Sequence, residues 1–187
     1  LISGIRMRHF LILAFLAILA FVFAWFFLMH DYQKERILSF ALPIDPLGAS
    51  WTSEQAKIAI GSGGIFGSGF GKGSQTQYGF LPEPQTDFIF AAIAEELGLV
   101  GVSVLLFIFF LMLWRIIKIA LSAGSNFPRL FSAGFAILLI FKIFINVGMN
   151  IGILPIVGIP LPLVSYGGSS LMAIFIGLGI LQSIKSN

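Results

Sequence analysis

Cysteine is absent from the 187 residues, and only 10% of them are charged. The first absence excludes a disulfide framework and thiol chemistry. The second, set against about 25% charged residues in soluble domains, excludes an ordinary soluble globular protein, because 58% of the chain is hydrophobic and the mean hydropathy is +1.01. A basic stripe is lacking as well. The 11 Lys and Arg residues, with eight acids and a net charge of +3, are scattered singly, so nucleic acid is not expected as a partner. What is abundant is Phe and Gly, 21 of each. The composition is that of an integral membrane protein.

Phe10 to Met29 contains neither a charge nor a glycine. At 1.5 Å per residue these 20 residues cover about 30 Å, the hydrocarbon core of a bilayer. A cleaved signal would have a shorter apolar stretch ending in small residues, whereas this one ends in Trp25-Phe26-Phe27-Leu28-Met29. Further spans are expected at about 86–114, 131–150 and 161–184. The predicted fold is therefore all-α, a polytopic membrane protein with four transmembrane helices in one membrane domain over 1–187. Arg6 and Arg8 precede the first span, Arg115, Lys118 and Arg129 lie at or between the second and third, and Lys185 follows the fourth. The positive-inside rule puts these segments and both ends of the chain in the cytoplasm, and 30–85 outside.

That outer segment is too long for a plain connection. Trp51 to Gly61 reads as a short helix with Thr52 and Gln55 as a capping box and Gly61 as the stop. Gly61, Gly63, Gly64, Gly67, Gly69, Gly71 and Gly73 follow, seven glycines in thirteen residues. They fit neither the dinucleotide nor the Walker pattern. Close backbone packing, N–H groups exposed to an anion and a plain flexible loop all stay open.

Ionisable groups at membrane depth are costly and mark bundle interiors or cavities. Asp87, with Pro84 at the first helical position, is placed at the end of the first turn of the second span. There it is either a helix N-terminal acid, worth about 0.3–1 kcal/mol, or a group facing a substrate headgroup. Glu83, four residues earlier, is a proton relay or a cap. Glu95 and Glu96 lie about 12–14 Å deeper than Asp87, and Lys142, on one helical face with Asn146 and Asn150, is at about 12 Å from its own end. Equal depth predicts that Lys142 pairs with Glu95 or Glu96; an ion or proton pathway is the competing reading. Arg36, Lys57, Lys72 and Lys34 are the basic candidates for a phosphate on this side. The stretch from Leu154 to Ser170, with prolines at 155, 160 and 162, either walls a wet outer cavity or packs small residues between helices.

Several blocks in order then carry a resemblance: Tyr32-Gln33, Arg36-Ile37, Asp45-Pro46-Leu47-Gly48, Ile58 to Gly64, Phe80-Leu81-Pro82-Glu83 with Thr86-Asp87-Phe88-Ile89-Phe90, Ala94-Glu95-Glu96-Leu97-Gly98 and Pro160 to Ser170. Together they resemble the SEDS proteins of bacterial shape, elongation, division and sporulation, and look closer to the RodA branch than to FtsW. The resemblance implies a peptidoglycan glycosyltransferase of the bacterial cytoplasmic membrane that polymerises lipid II, of which this chain is the C-terminal portion, four of about ten spans. It implies Asp87 as the catalytic base with Glu83 beside it, and a class B penicillin-binding protein and membrane lipid as partners. Arg36, Lys57, Lys72, Gln75, Ser165 and Tyr166 are then expected at the substrate, and Glu95, Glu96, Lys142 and Asn146 as intramembrane structural polar residues. Cations at the leaving pyrophosphate would come from the protein or from a divalent metal, magnesium or manganese; which of the two stays open. A lipid II flippase, using Glu95, Glu96 and Lys142, and a non-catalytic scaffold for a transpeptidase are the alternatives.

Overall fold

The computed structural model describes residues 7–31, 33, 34 and 49–186. The chain divides into two compact units, Leu1–Ile44 and Asp45–Asn187. In the first unit, α1 runs over Met7–Phe27. Its residues from Leu11 onward are apolar and nearly all exposed, as expected of a helix whose surroundings are lipid or other helices rather than its own unit.

The regular elements in the described part of the second unit are all helices: α2 (Ala49–Ser62), α3 (Ser74–Gln77), α4 (Ile89–Ser122), α5 (Asn126–Asn150) and α6 (Gly168–Ser186). Of these, α4, α5 and α6 are long and apolar enough to cross a membrane. With α1 they make this an all-α polytopic membrane protein. A three-residue turn, with Ser125 in extended backbone ahead of α5, folds α5 back along α4, and α6 touches both. At the end of the bundle near that turn, Ile116, Ala136, Leu139, Ile174 and Leu181 form a buried apolar cluster. Gly177 lies so close to the Phe135 ring that a Cβ there would collide with it.

The observed bounds correct the expected ones. The second span starts at Ile89, not at 86, and continues to Ser122. Its 34 residues are interrupted at Gly98, and the stretch from Leu99 to Ser122 alone covers about 36 Å, enough for the ~30 Å of hydrocarbon. The fourth begins at Gly168, not at 161. Pro160 and Pro162 have no N–H to give a helix, and residues 161–167 form turns instead. The helix expected over 51–61 already runs from Ala49, so Thr52 lies inside it rather than at its cap.

One helix is broken in an informative way. Gly98 has φ 65° and ψ −165° in the middle of α4, backbone that essentially only glycine adopts. A straight helix would bond the Leu99 and Val100 amides to the carbonyls of Glu95 and Glu96. Here Leu99 and Val100 donate instead to Gly64 O (2.9 Å) and Ile65 O (3.1 Å), while Ser68 N and Gly69 N donate to Glu95 O (2.9 Å) and Glu96 O (3.0 Å). The glycine segment has inserted itself into the ladder of α4, bond for bond. Gly67, at φ 78°, abuts the Glu96 carbonyl so closely that no Cβ fits. Of the three readings of the glycine run, close backbone packing describes residues 63–69.

Candidate functional site

Asp87 sits at the beginning of α4, but not within it. Phe88 is the residue that caps the helix, and its side chain supplies no cap hydrogen bond. Residues 84–88 form a turn gathered by the backbone carbonyl of Glu83, which accepts from Thr86 N (3.2 Å), Thr86 Oγ1 (3.3 Å) and Phe88 N (3.4 Å). Glu83 itself has φ 46°, a left-handed conformation that costs a non-glycine residue about 1–2 kcal/mol. Its side chain is exposed. The expectation that Pro84 opens the helix and Asp87 closes its first turn is thus corrected: the turn needs five residues before regular bonding starts. Asp87 still stands at the positive end of the α4 dipole.

Two other segments hold this turn by hydrogen bonds. From α5, Asn146 Nδ2 and Asn150 Nδ2 both donate to the Asp87 carbonyl, at 3.1 and 3.0 Å. Asn150 Oδ1 accepts from Ala91 N at 3.1 Å. From the segment before α6, Ser165 Oγ donates to Thr86 O (2.6 Å) and accepts from Leu161 N (2.7 Å), and Tyr166 N donates to Gln85 O (2.8 Å). Asn146 also donates to Ile159 O at 2.9 Å. The Asp87 carboxylate lies beside Gly158, where a Cβ would stand 3.3 Å from Oδ2. Beneath the turn, Phe88 and Leu81 are buried with Ala56, Ala59 and Ala91. The segment 154–167 is non-helical and is bonded to the Asp87 turn directly through Ser165 and Tyr166 and, by way of Asn146, through Ile159.

Of the expected site residues, Asp87, Glu83, Ser165, Tyr166 and Asn146 meet in this one assembly. Ser165 acts on backbone, and Tyr166 is 79% exposed. Lys57 is exposed and its side chain lies along Gly152, just past the C-terminus of α5, where a cation is favoured. Lys72 is exposed, its methylenes near Gly69. Arg36 lies outside the described residues.

Glu95 and Gln75 belong to a second cluster. The buried Glu95 carboxylate accepts from Gln75 N (2.7 Å), Thr76 N (3.0 Å), Thr76 Oγ1 (2.6 Å) and Ser74 Oγ (3.4 Å), fastening α3 to α4. Glu96 accepts from Gln77 Nε2 at 3.5 Å. Lys142 donates to Ser170 Oγ at 3.0 Å, joining α5 to α6. The expected pairing of Lys142 with Glu95 or Glu96 is not formed. Equal depth does not make a pair: the Glu95 carboxylate is taken by the donors of residues 74–76, while Lys142 reaches α6. Asn150 and Gly158 were not singled out as site residues. For Asn150 the signal was its four-residue spacing from Asn146; for Gly158 there was none. Magnesium or manganese finds no gathering of three His, Asp or Glu among the described residues.

Residues 1–187 match the family FtsW/RodA/SpoVE, described as "Cell cycle protein". The chain belongs to this family. FtsW/RodA/SpoVE relatives include the peptidoglycan glycosyltransferase MrdB of Escherichia coli K12, 51% identical over 95% of this chain and 47% of MrdB. Another is the stage V sporulation protein E of Bacillus subtilis, 39% identical over 98% of this chain and 50% of that protein. Among solved structures, one described as structural coordination of polymerization and crosslinking by a peptidoglycan synthase complex matches with a TM-score of 0.70. It is 37% identical and covers 95% of this chain and 48% of its own. The chain thus spans about half the length of the family members it matches.

Proposed function

We propose that this chain supplies the base-bearing half of a peptidoglycan glycosyltransferase that polymerises lipid II at the outer face of the bacterial cytoplasmic membrane. The observation that carries it is the placing of Asp87: an ionisable side chain at a helix start, on a turn whose backbone is tied to α5 and to the segment before α6. Its carboxylate takes the proton from the 4-hydroxyl of the acceptor's GlcNAc. That oxygen forms a bond to C1 of the donor's MurNAc as the bond from C1 to the pyrophosphate breaks. Undecaprenyl pyrophosphate leaves, and inversion at C1 gives the new β-1,4 link. A general base contributes about 10²–10⁴-fold, so positive groups at the departing pyrophosphate supply further acceleration. Lys57 and Lys72, both exposed, and Arg36 are assigned that role. Gln75, whose backbone is tied to Glu95, and the exposed Tyr166 border the sugar. Glu83 relays the proton to water.

In this reading both ends of the chain are cytoplasmic, the partner is a class B penicillin-binding protein, and the activity serves elongation and shape rather than division. A flippase would need Glu95, Glu96 and Lys142 along one pathway. Glu95 is fully engaged by α3 and Lys142 is held by Ser170, which favours polymerisation.

The complete polypeptide, purified with its cognate penicillin-binding protein, is expected to extend lipid II into glycan strands resolved on a gel. Asp87→Asn abolishes that extension while the two proteins still co-purify. Polymerisation that survives Asp87→Asn overturns the assignment.

A further inference from the structure

Asn146 and Asn150 are both completely buried, and their side-chain polar atoms are held by short hydrogen bonds except Asn146 Oδ1, which has only a 3.5 Å contact from Asn150 Nδ2. Each amide nitrogen has two hydrogens. Asn150 Nδ2 gives one to Asp87 O and one to Asn146 O (2.8 Å); Asn146 Nδ2 gives one to Asp87 O and one to Ile159 O. Asn150 Oδ1 takes the Ala91 amide, the third residue of α4, whose own cap side chain offers nothing. The amide orientation follows from the partners: a flipped Asn150 would set its NH2 against Ala91 N–H and its oxygen against two carbonyls.

We infer that Asn146 and Asn150 are positioning residues for Asp87, acting on its main chain without touching substrate. This rests on the proposed role of Asp87. Both lone-pair directions of the Asp87 carbonyl are occupied by α5, so the Cα of the base cannot shift without breaking two buried bonds. Asn146 at the same time anchors Ile159, one residue from Gly158, and so sets the distance between the carboxylate and the segment beside it. Asn150 fixes the opening turn of α4 in the same register. A base displaced by about 1 Å from its proton can lose about 10²-fold in rate.

The test separates positioning from helix capping. Asn150→Asp keeps the acceptor for Ala91 N and replaces the two amide hydrogens, which go to Asp87 O and Asn146 O, with one at most, so the four-bond arrangement is broken. Asn146→Leu removes the donors to Asp87 and Ile159. In lipid II polymerisation by the complete polypeptide with its partner, each is expected to lower kcat about 10²-fold, with KM for lipid II within about twofold. Asn150→Ser, small and polar but too short to reach the carbonyl, replaces Asn150→Asp if the acid unfolds the protein, and is expected to show the same split. Wild-type kcat in Asn150→Asp or Asn150→Ser would reduce Asn150 to a cap and overturn the inference, as would a raised KM with kcat intact. If Asp87→Asn is inactive and these variants are not impaired, only this inference falls; if Asp87→Asn polymerises, the proposed function falls first.

Discussion

The two ends of the unit Asp45–Asn187 are built on different physics. Around Leu139, Ile174 and Leu181 the helices meet through apolar side chains. Around Asp87 and Gly98 a second apolar cluster is joined by hydrogen bonds between segments far apart in the chain: α3 to the Glu95 carboxylate, the glycine segment to the α4 backbone, α5 to the Asp87 turn. In lipid, apolar contact brings no hydrophobic driving force, since the tails are as apolar as the side chains. The first end is therefore permissive in sequence. The second is directional, and a displaced donor or acceptor is left unpaired. The chemistry is assigned to the end whose geometry is prescribed.

That contrast can be broken or sharpened by substitution. Gly98→Ala should have the largest effect on stability. It puts a Cβ against Gly67 N and Ile65 O and forces alanine to a positive φ, so the glycine segment is expelled. A loss of about 2–4 kcal/mol is expected in thermal unfolding of the detergent-solubilised protein, and wild-type melting would show that the inserted bonds do not hold this end together. Glu95→Gln comes next, expected to cost about 1–3 kcal/mol. It turns one of two acceptor atoms into a donor facing donors; proteolysis between 65 and 80 should accelerate as α3 comes loose. Lys142→Met should change least, about 0.6 kcal/mol, because it removes one bond to Ser170 among apolar helices. A drop in melting as large as that of Glu95→Gln would erase the distinction between the ends.

The outline of the fold was legible in the sequence, and so was Asp87, through different signals. Phe10 to Met29 announced a helix by composition alone, and the runs in α4 and α5 did so nearly as well. Asp87 was legible only through the company of Phe80 to Phe90 and the other blocks, since one acid near a proline carries two readings. What could not be read were the departures from regular backbone. A single glycine at 98 after Glu95-Glu96-Leu97 is tolerable in an ordinary helix, and nothing local states that carbonyls over thirty residues upstream will claim the amides beyond it. The pairing of Lys142 with Glu95 failed because depth along a helix does not state which neighbour a side chain faces, and α3 claims the Glu95 carboxylate. Proline at 160 and 162 did contain the later start of α6, but the strongly apolar residues around them suggested a span.

A helix ordinarily guards its own amides, yet those of Leu99 and Val100 are guarded by carbonyls 35 residues earlier, Gly64 and Ile65. The chain thus cannot complete α4 from the residues of α4. During synthesis Gly64 and Ile65 emerge first, so the receptor for these amides exists before the amides do. Solvent exchange at Leu99 and Val100 therefore times the departure of the glycine segment rather than the fraying of the helix that contains them.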